Sequence, residues 1–130
     1  MTKSTPEGGR SISTIVVSRP GIMQQSLRAS LAAFPWVTVV ASAGDGLTAL
    51  GQVTQHHPGL LVIDSNLLDE EVAALLDTVK IRYPETHCLV MIRSSQQVAQ
   101  LLSQGADAVA LRDGTLHQLQ VALQPFASDA

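Results

Sequence analysis

Five short runs rich in aliphatic and β-branched residues alternate with longer segments of helical periodicity, and this alternation restricts the possible folds more than any other feature of the chain. The runs are Ser13–Val17, Val37–Ala41, Leu60–Asp64, Cys88–Ile92 and Ala108–Leu111. The first, third and fourth are nearly continuous apolar segments, as expected of strands buried on both faces. Between them, Met23, Leu27 and Leu31 recur at four-residue spacing and mark a helix that ends near Phe34-Pro35. Leu47, Leu50 and Val53 mark a second helix. Val72, Leu75, Leu76 and Val79 follow the i, i+3, i+4, i+7 pattern of a third, which Tyr83-Pro84 stops. Val98, Leu101 and Leu102 give a short fourth helix with Gly105 as its C-cap, and Leu116, Leu119 and Leu123 give the fifth.

Strands alternating with helices across short connections favour a parallel sheet with crossover helices. The order βαβαβαβαβα predicts a flavodoxin-like, doubly wound (βα)5 sandwich with a five-stranded parallel sheet. A chain of 130 residues suits one such domain, set at residues 13–124, with tails at 1–12 and 125–130. Only four residues are aromatic, so aliphatic side chains must fill the core. Phe34 and Trp36, which flank Pro35, belong to that core and not to a stacking site for a ligand.

Charge and cysteine content exclude several functions. Eight basic residues against eleven acidic ones give a net charge of −3, without a run of Lys or Arg that could follow a phosphate backbone, so this domain is not expected to bind nucleic acid directly. Cys88 is the lone cysteine and sits in an apolar run, which identifies a buried hydrophobe and not a nucleophile. The absence of a disulfide framework fits a reducing cytoplasm. No apolar stretch approaches the roughly 20 residues that span a bilayer, so no membrane association is expected.

Ligands of open α/β sheets bind at the carboxyl ends of the strands. That rule selects Ser18, Arg19, Asp64, Ser65, Asn66, Arg93, Ser94 and Arg112. Adjacent His56 and His57 precede Pro58 at a helix end and point apart, which suits a surface better than a metal. His87 and His117 have no identifiable partners in the sequence. Asp69, Glu70 and Glu71 suit the third helix's N-terminus, where the helix dipole favours anions. Gly44 and Gly46 suit a turn. No Gly-rich phosphate loop, nucleophile elbow or metal-ligand spacing supports an enzyme.

Three segments resemble the response-regulator receiver family, over roughly Ser13 to Leu123. Ala43-Gly44-Asp45-Gly46-Leu47-Thr48-Ala49-Leu50 is similar to the family's Gly-containing turn and second helix. Pro58-Gly59-Leu60-Leu61-Val62-Ile63-Asp64 is similar to its phosphoacceptor strand. Gly105-Ala106-Asp107-Ala108-Val109-Ala110-Leu111-Arg112-Asp113 is similar to the segment Gly-Ala-x-Gly-Tyr-Leu-Leu-Lys-Asp of CheY-like receivers that precede LuxR-type outputs, the NarL group.

The resemblance implies a phosphoacceptor at Asp64, with Mg²⁺ held by an acidic pair after the first strand and a Thr or Ser and a Lys on the phosphoryl oxygens. Mg²⁺ prefers oxygen ligands and offsets carboxylate and phosphoryl charge. Here Val17-Ser18-Arg19 stands where the acidic pair would be, Ile92 or Arg93 takes the Thr/Ser switch position, Val109 replaces the switch Tyr and Arg112 replaces the Lys. Asn66 retains a backbone carbonyl, Leu67-Leu68 replaces Met-Pro, and Ser94 or Ser95 can supply a hydroxyl only if the strand is longer than drawn.

These departures predict that Arg19, with Arg112 as a second candidate, pairs directly with Asp64 in place of a metal. The competing reading leaves Arg19 in solvent and Asp64 capping a loop. The functional expectation is an atypical receiver in two-component signalling or transcription control. It would be regulatory and not enzymatic, need no cofactor or metal, and act through a protein partner or a homodimer on the face of the fourth and fifth helices. The alternative is a phosphorelay receiver that binds Mg²⁺, takes phosphate on Asp64 from a histidine kinase and controls a separate DNA-binding output domain.

Overall fold

The structure is a computed structural model and describes residues 11–64 and 66–129. Five parallel strands form one sheet in the order β2-β1-β3-β4-β5: β1 is Ile12–Val17, β2 Val37–Ala43, β3 Leu60–Asp64, β4 His87–Ile92 and β5 Ala108–Leu111. The first, third and fourth runs are the central strands, and the second and fifth runs are the edges. The helices are α1 Ile22–Ala32, α2 Gly46–His56, α3 Asp69–Arg82, α4 Val98–Ser103 and α5 Leu116–Leu123, with 3-10 turns at Ser95–Gln97 and Gln124–Asp129. This is the flavodoxin-like arrangement expected.

Successive side chains of a strand point to opposite faces, and this divides the core in two. Ile15, Val17, Leu61, Ile63, Val90 and Ile92 pack against α2, α3 and α4. Val16, Leu60, Val62, Leu89, Met91 and Ala110 pack with Leu27, Leu31, Leu119 and Leu123 of α1 and α5. Trp36 and Phe34 are buried in this second layer, their rings tilted with centroids 6.4 Å apart. Between Thr14 and Ile15 the β1–β2 register shifts by one, a bulge that leaves Val40 unpaired and exposed on the edge strand.

Local chemistry explains the element ends. The Asp45 carboxylate accepts from the Thr48 amide at 2.7 Å and caps α2, and that bond holds its pKa below the usual carboxylate value. Thr115 and Gln118 form a reciprocal capping box on α5. Beyond α4, Gly105 adopts φ 118°, where a side chain would be strained and a Cβ would come within 2.8 Å of Lys80 Cγ. Asp107 then accepts from both the Cys88 amide and Lys80 Nζ, each at 2.8 Å, which ties α3 to the start of β4 and β5.

The structure corrects several expectations. Leu47 and Leu116 open their helices on the solvent side, and Met23 and Leu102 are also exposed; Gly46, Ala49 and Val53 carry the buried stripe of α2. Glu71 is more than a solvated helix-start anion, because its Oε2 accepts from the Gly46 amide at 2.6 Å and joins α3 to α2. Ile12 belongs to β1 and is buried, so the boundary at residue 13 falls inside the strand; residues 1–10 lie outside the described residues. At the other end, Phe126 is buried and its ring stacks on His87 at 4.8 Å between centroids, so the stretch after α5 is part of the packed body and His87 has an aromatic neighbour.

Phe126→Ala should lower unfolding free energy by about 3 kcal/mol, the usual cost of emptying a buried aromatic site. Urea unfolding followed by circular dichroism measures this, and a loss below about 1 kcal/mol would show that the 3-10 turn adds little to the core.

Candidate functional site

The alternation that divides the core also composes the site. Asp64 ends β3 two residues after Val62, Ser18 follows β1 two residues after Val16, and Arg112 follows β5 two residues after Ala110. All three therefore share the α1/α5 side of the sheet. The pairing continues past the strand ends, with the Ser18 amide donating to Ala43 O at 2.9 Å and the Arg112 amide to Ile92 O at 2.7 Å.

Asp64 is 2% exposed and Ser18 fully buried. Ser18 Oγ donates to Asp64 Oδ2 at 3.1 Å, and Arg112 Nε stands 3.0 Å from Asp64 Oδ1. The second contact is an ion pair by distance, but its N–H is poorly aligned, so neither Oδ1 nor Nε has a well-formed hydrogen bond within the protein. Burial of both groups strengthens their attraction and raises the desolvation cost that offsets it.

Arg19 does not pair with Asp64, contrary to expectation. One residue beyond Ser18, it falls on the opposite parity and reaches along the β3–α3 loop, where its Nε donates to the backbone carbonyl of Asn66 at 2.7 Å. Its amide donates to Asn66 Oδ1 at 3.2 Å. Asn66 Nδ2 in turn donates to Ser18 Oγ at 3.2 Å, completing a relay from Asn66 through Ser18 to Asp64. Arg19 is exposed, as the competing reading has it, though its side chain holds the loop; Asp64 is paired with Ser18 and Arg112 and not spent on a loop cap.

The remaining candidates separate. Arg93 is exposed and lines an open recess with Met23, Arg112 and Asp113, while the Ser94 hydroxyl accepts from the Gln96 amide and caps the 3-10 turn before α4. Ser94 is therefore committed to local structure. Ser65 lies outside the described residues. Ile92 is buried and Val109 half-buried at the two positions where the resemblance expects a hydroxyl and a Tyr. Cys88 is buried in β4, and burial pushes its thiol up to about 12, which removes it as a nucleophile. Among the described residues no three His, Cys, Asp or Glu side chains gather as a metal site, and no helix is long and apolar enough to cross a membrane.

Sequence reasoning missed a cleft of about 130 Å³ between α1 and the β5–α5 segment. Asp64 and Arg112 are among its lining, together with apolar walls from Leu27, Met91, Leu116 and Leu119. The α1 stripe was legible, but its separation from α5 depends on packing that periodicity does not specify.

The sheet order, the helices on both faces and the carboxylate at the end of β3 define a response-regulator receiver fold, and that is the fold of this chain. It superposes on the signal receiver domain of the putative response regulator NarL from Mycobacterium tuberculosis with a TM-score of 0.79 at 23% identity, covering 93% of this chain and 99% of that one. A LuxR-family two-component response regulator from Aurantimonas sp. SI85-9A1 gives 0.80 at 17% identity, over 92% and 86%. Salmonella enterica serovar Typhimurium RcsB, bound to promoter rprA in the presence of BeF3⁻, gives 0.78 at 18% identity, over 92% and 61%. In sequence, the chain is 32% identical over 90 residues to the oxygen regulatory protein NreC of Staphylococcus epidermidis; the match takes in 66% of this chain and 41% of that protein, less than half its length. No protein-family model matches.

Arg112→Ala should cost about 3 kcal/mol by stranding the buried Asp64 charge, and under about 1 kcal/mol in an Asp64→Asn background. A double-mutant cycle by chemical denaturation checks this; equal losses in both backgrounds would mean that the two side chains do not interact.

Proposed function

We propose that this chain is an atypical receiver domain that regulates by protein contact, without Mg²⁺-dependent phosphorylation of Asp64. One observation carries the reading: the chain's own groups engage the oxygens that metal and phosphoryl chemistry would use. Asp64 is held between the Ser18 hydroxyl and the Arg112 guanidinium, and the Asn66 carbonyl is taken by Arg19.

The donor set fits Mg²⁺ badly. This ion requires near-octahedral oxygen ligands with enough negative charge to offset its dehydration. Where the receiver resemblance expects two carboxylates, there is a hydroxyl that donates to Asp64 and a cation that reaches past it. A divalent ion at Asp64 would have to displace Arg112 and meet the positive charge of Arg19 nearby. The attacking carboxylate would also lack the hydroxyl partner implied for the switch, since Ile92 is buried and apolar and Ser94 is engaged as a cap.

Output then rests on the surface. The face of α4 and α5, with exposed Leu102 and Val121, is the contact region for a protein partner or a second copy. RcsB in complex with a promoter illustrates a response regulator that acts on DNA. For this chain, control of transcription belongs to the same proposal, by way of a partner or output domain and not by nucleic-acid contact from the receiver itself, whose net charge is −3.

Incubation with acetyl phosphate and Mg²⁺ should leave the intact mass unchanged. Ser18→Asp with Arg19→Asp should create a site at which Mg²⁺ raises the melting temperature in a concentration-dependent way. Stoichiometric addition of a phosphoryl group to Asp64 in the unaltered chain would overturn the proposal and return the chain to a phosphorelay with a histidine kinase.

A further inference from the structure

We infer that the groove between α2 and α3 docks a basic amphipathic helix of a partner protein. This surface is separate from the Asp64 pocket and from the α4/α5 face, so the inference does not depend on whether Asp64 takes phosphate.

The two helices are tied to each other at both ends of the groove. At one end the Gly46 amide donates to Glu71 Oε2, and at the other the hydroxyls of Thr54 and Tyr83 share a hydrogen bond. Between these ties lies an open depression of about 180 Å³, with Leu47, Leu50, Ala74, Leu75 and Thr78 in its lining. A cavity of roughly 150 Å³ holds benzene, so this one takes a single Leu or Phe anchor from an incoming element. Leu47 is 83% exposed on the α2 wall, and Ile81, two turns beyond Ala74 on α3, is 71% exposed. From Glu70 to Ile81 that wall runs about 16 Å at the usual helical rise, which matches three turns of a docked helix.

The rim selects the charge of the partner. Asp45 precedes α2, and Glu70, Glu71 and Asp77 lie along α3 on or beside the line of Ala74 and Thr78. α2 carries no Lys or Arg; of the two cations of α3, Lys80 is paired with Asp107 and Arg82 lies over the Tyr83 ring at the closed end. Apolar surface framed by anions suits a helix with one apolar stripe and Lys or Arg on its flanks. The same rim repels nucleic acid and anionic lipid. A second copy of this chain is a poor occupant, because α1 offers Arg28 alone and α2, α4 and α5 offer no Lys or Arg.

Gly51 supports the same reading independently. It is exposed in the middle of α2, one turn after Leu47, and a Cβ there would meet nothing within 4 Å. Glycine inside a helix is destabilising relative to alanine, and no neighbour among the described residues excludes a side chain at this position. Close approach of a partner backbone to α2 accounts for the missing Cβ.

The test titrates a synthetic helix of about four turns, with Leu at i, i+3, i+4 and i+7 and Lys on its flanks, into the full 130-residue chain, read by amide chemical shifts. Saturable shifts are expected at Gly46, Leu50, Ala74 and Thr78, with affinity falling roughly tenfold in about 0.5 M salt. A peptide of the same composition in scrambled order should bind at least tenfold more weakly. Ala74→Arg, at an exposed position, should abolish the shifts through bulk and charge. Glu70→Lys with Asp77→Lys reverses the rim without altering the floor and should weaken binding tenfold or more, which covers the case in which Ala74→Arg fails to fold. Val121→Arg on α5 should leave the affinity unchanged, separating this groove from the α4/α5 face. No saturation at millimolar peptide, equal binding of the scrambled peptide, shifts that persist in a folded Ala74→Arg chain, or loss of binding in Val121→Arg would each overturn the site. The same shifts on raising the protein concentration alone would also overturn it, by assigning the groove to a second copy.

Discussion

The two-residue repeat of the buried strands is the constraint on which this molecule's chemistry rests. In a parallel sheet covered on both faces, moving one position along a strand carries a side chain through the sheet to the other layer. Ser18, Asp64 and Arg112 meet because each continues the same parity past its strand. Arg19, one bond further along, is directed to the β3–α3 loop. The identity of the cation beside the carboxylate was thus decided by position in the repeat, even though both arginines carry the same charge.

This polar group forms a connected unit. Asn66 donates to Ser18, Ser18 donates to Asp64, and Arg19 secures Asn66 from outside. Three strand ends and one loop are joined through three short side chains and two arginines. Its buried part, Ser18 with Asp64, is costly to disturb, because each group there would lose a partner that water cannot replace. Arg112 joins β5 to this unit through its ion pair with Asp64 at 3.0 Å.

Much of the fold was legible from the residues. Leu60–Asp64 and Ala108–Leu111 coincide with the observed strands, and Val72, Leu75, Leu76 and Val79 form the buried stripe of α3 as their spacing requires. The burial on both faces expected of the first, third and fourth runs is met by their central places in the sheet. What periodicity missed has a common cause. Leu47 and Leu116 are the first or second residues of their helices, where the chain has not yet turned its apolar face inward. Phe126 follows a proline in a short polar stretch, and only tertiary packing, on His87 and in the α1/α5 core layer, buries it. At the site, Asp64 and Arg112 could be chosen from their places at strand ends. Charge counting ranked Arg19 first because it ignored which way each side chain faces.

The stacking of Phe126 on His87 has a geometric corollary. His87 opens β4 and Met91, four residues on, lies beside Asp64, so the two ends are separated by about 13 Å of strand at the usual rise per residue. The final 3-10 turn is moored to the far rim of the sheet from the carboxylate. The carboxylate and the final turn therefore touch opposite ends of one strand, β4, and α5 spans the same distance beside it, with Arg112 before its first turn and Phe126 after its last.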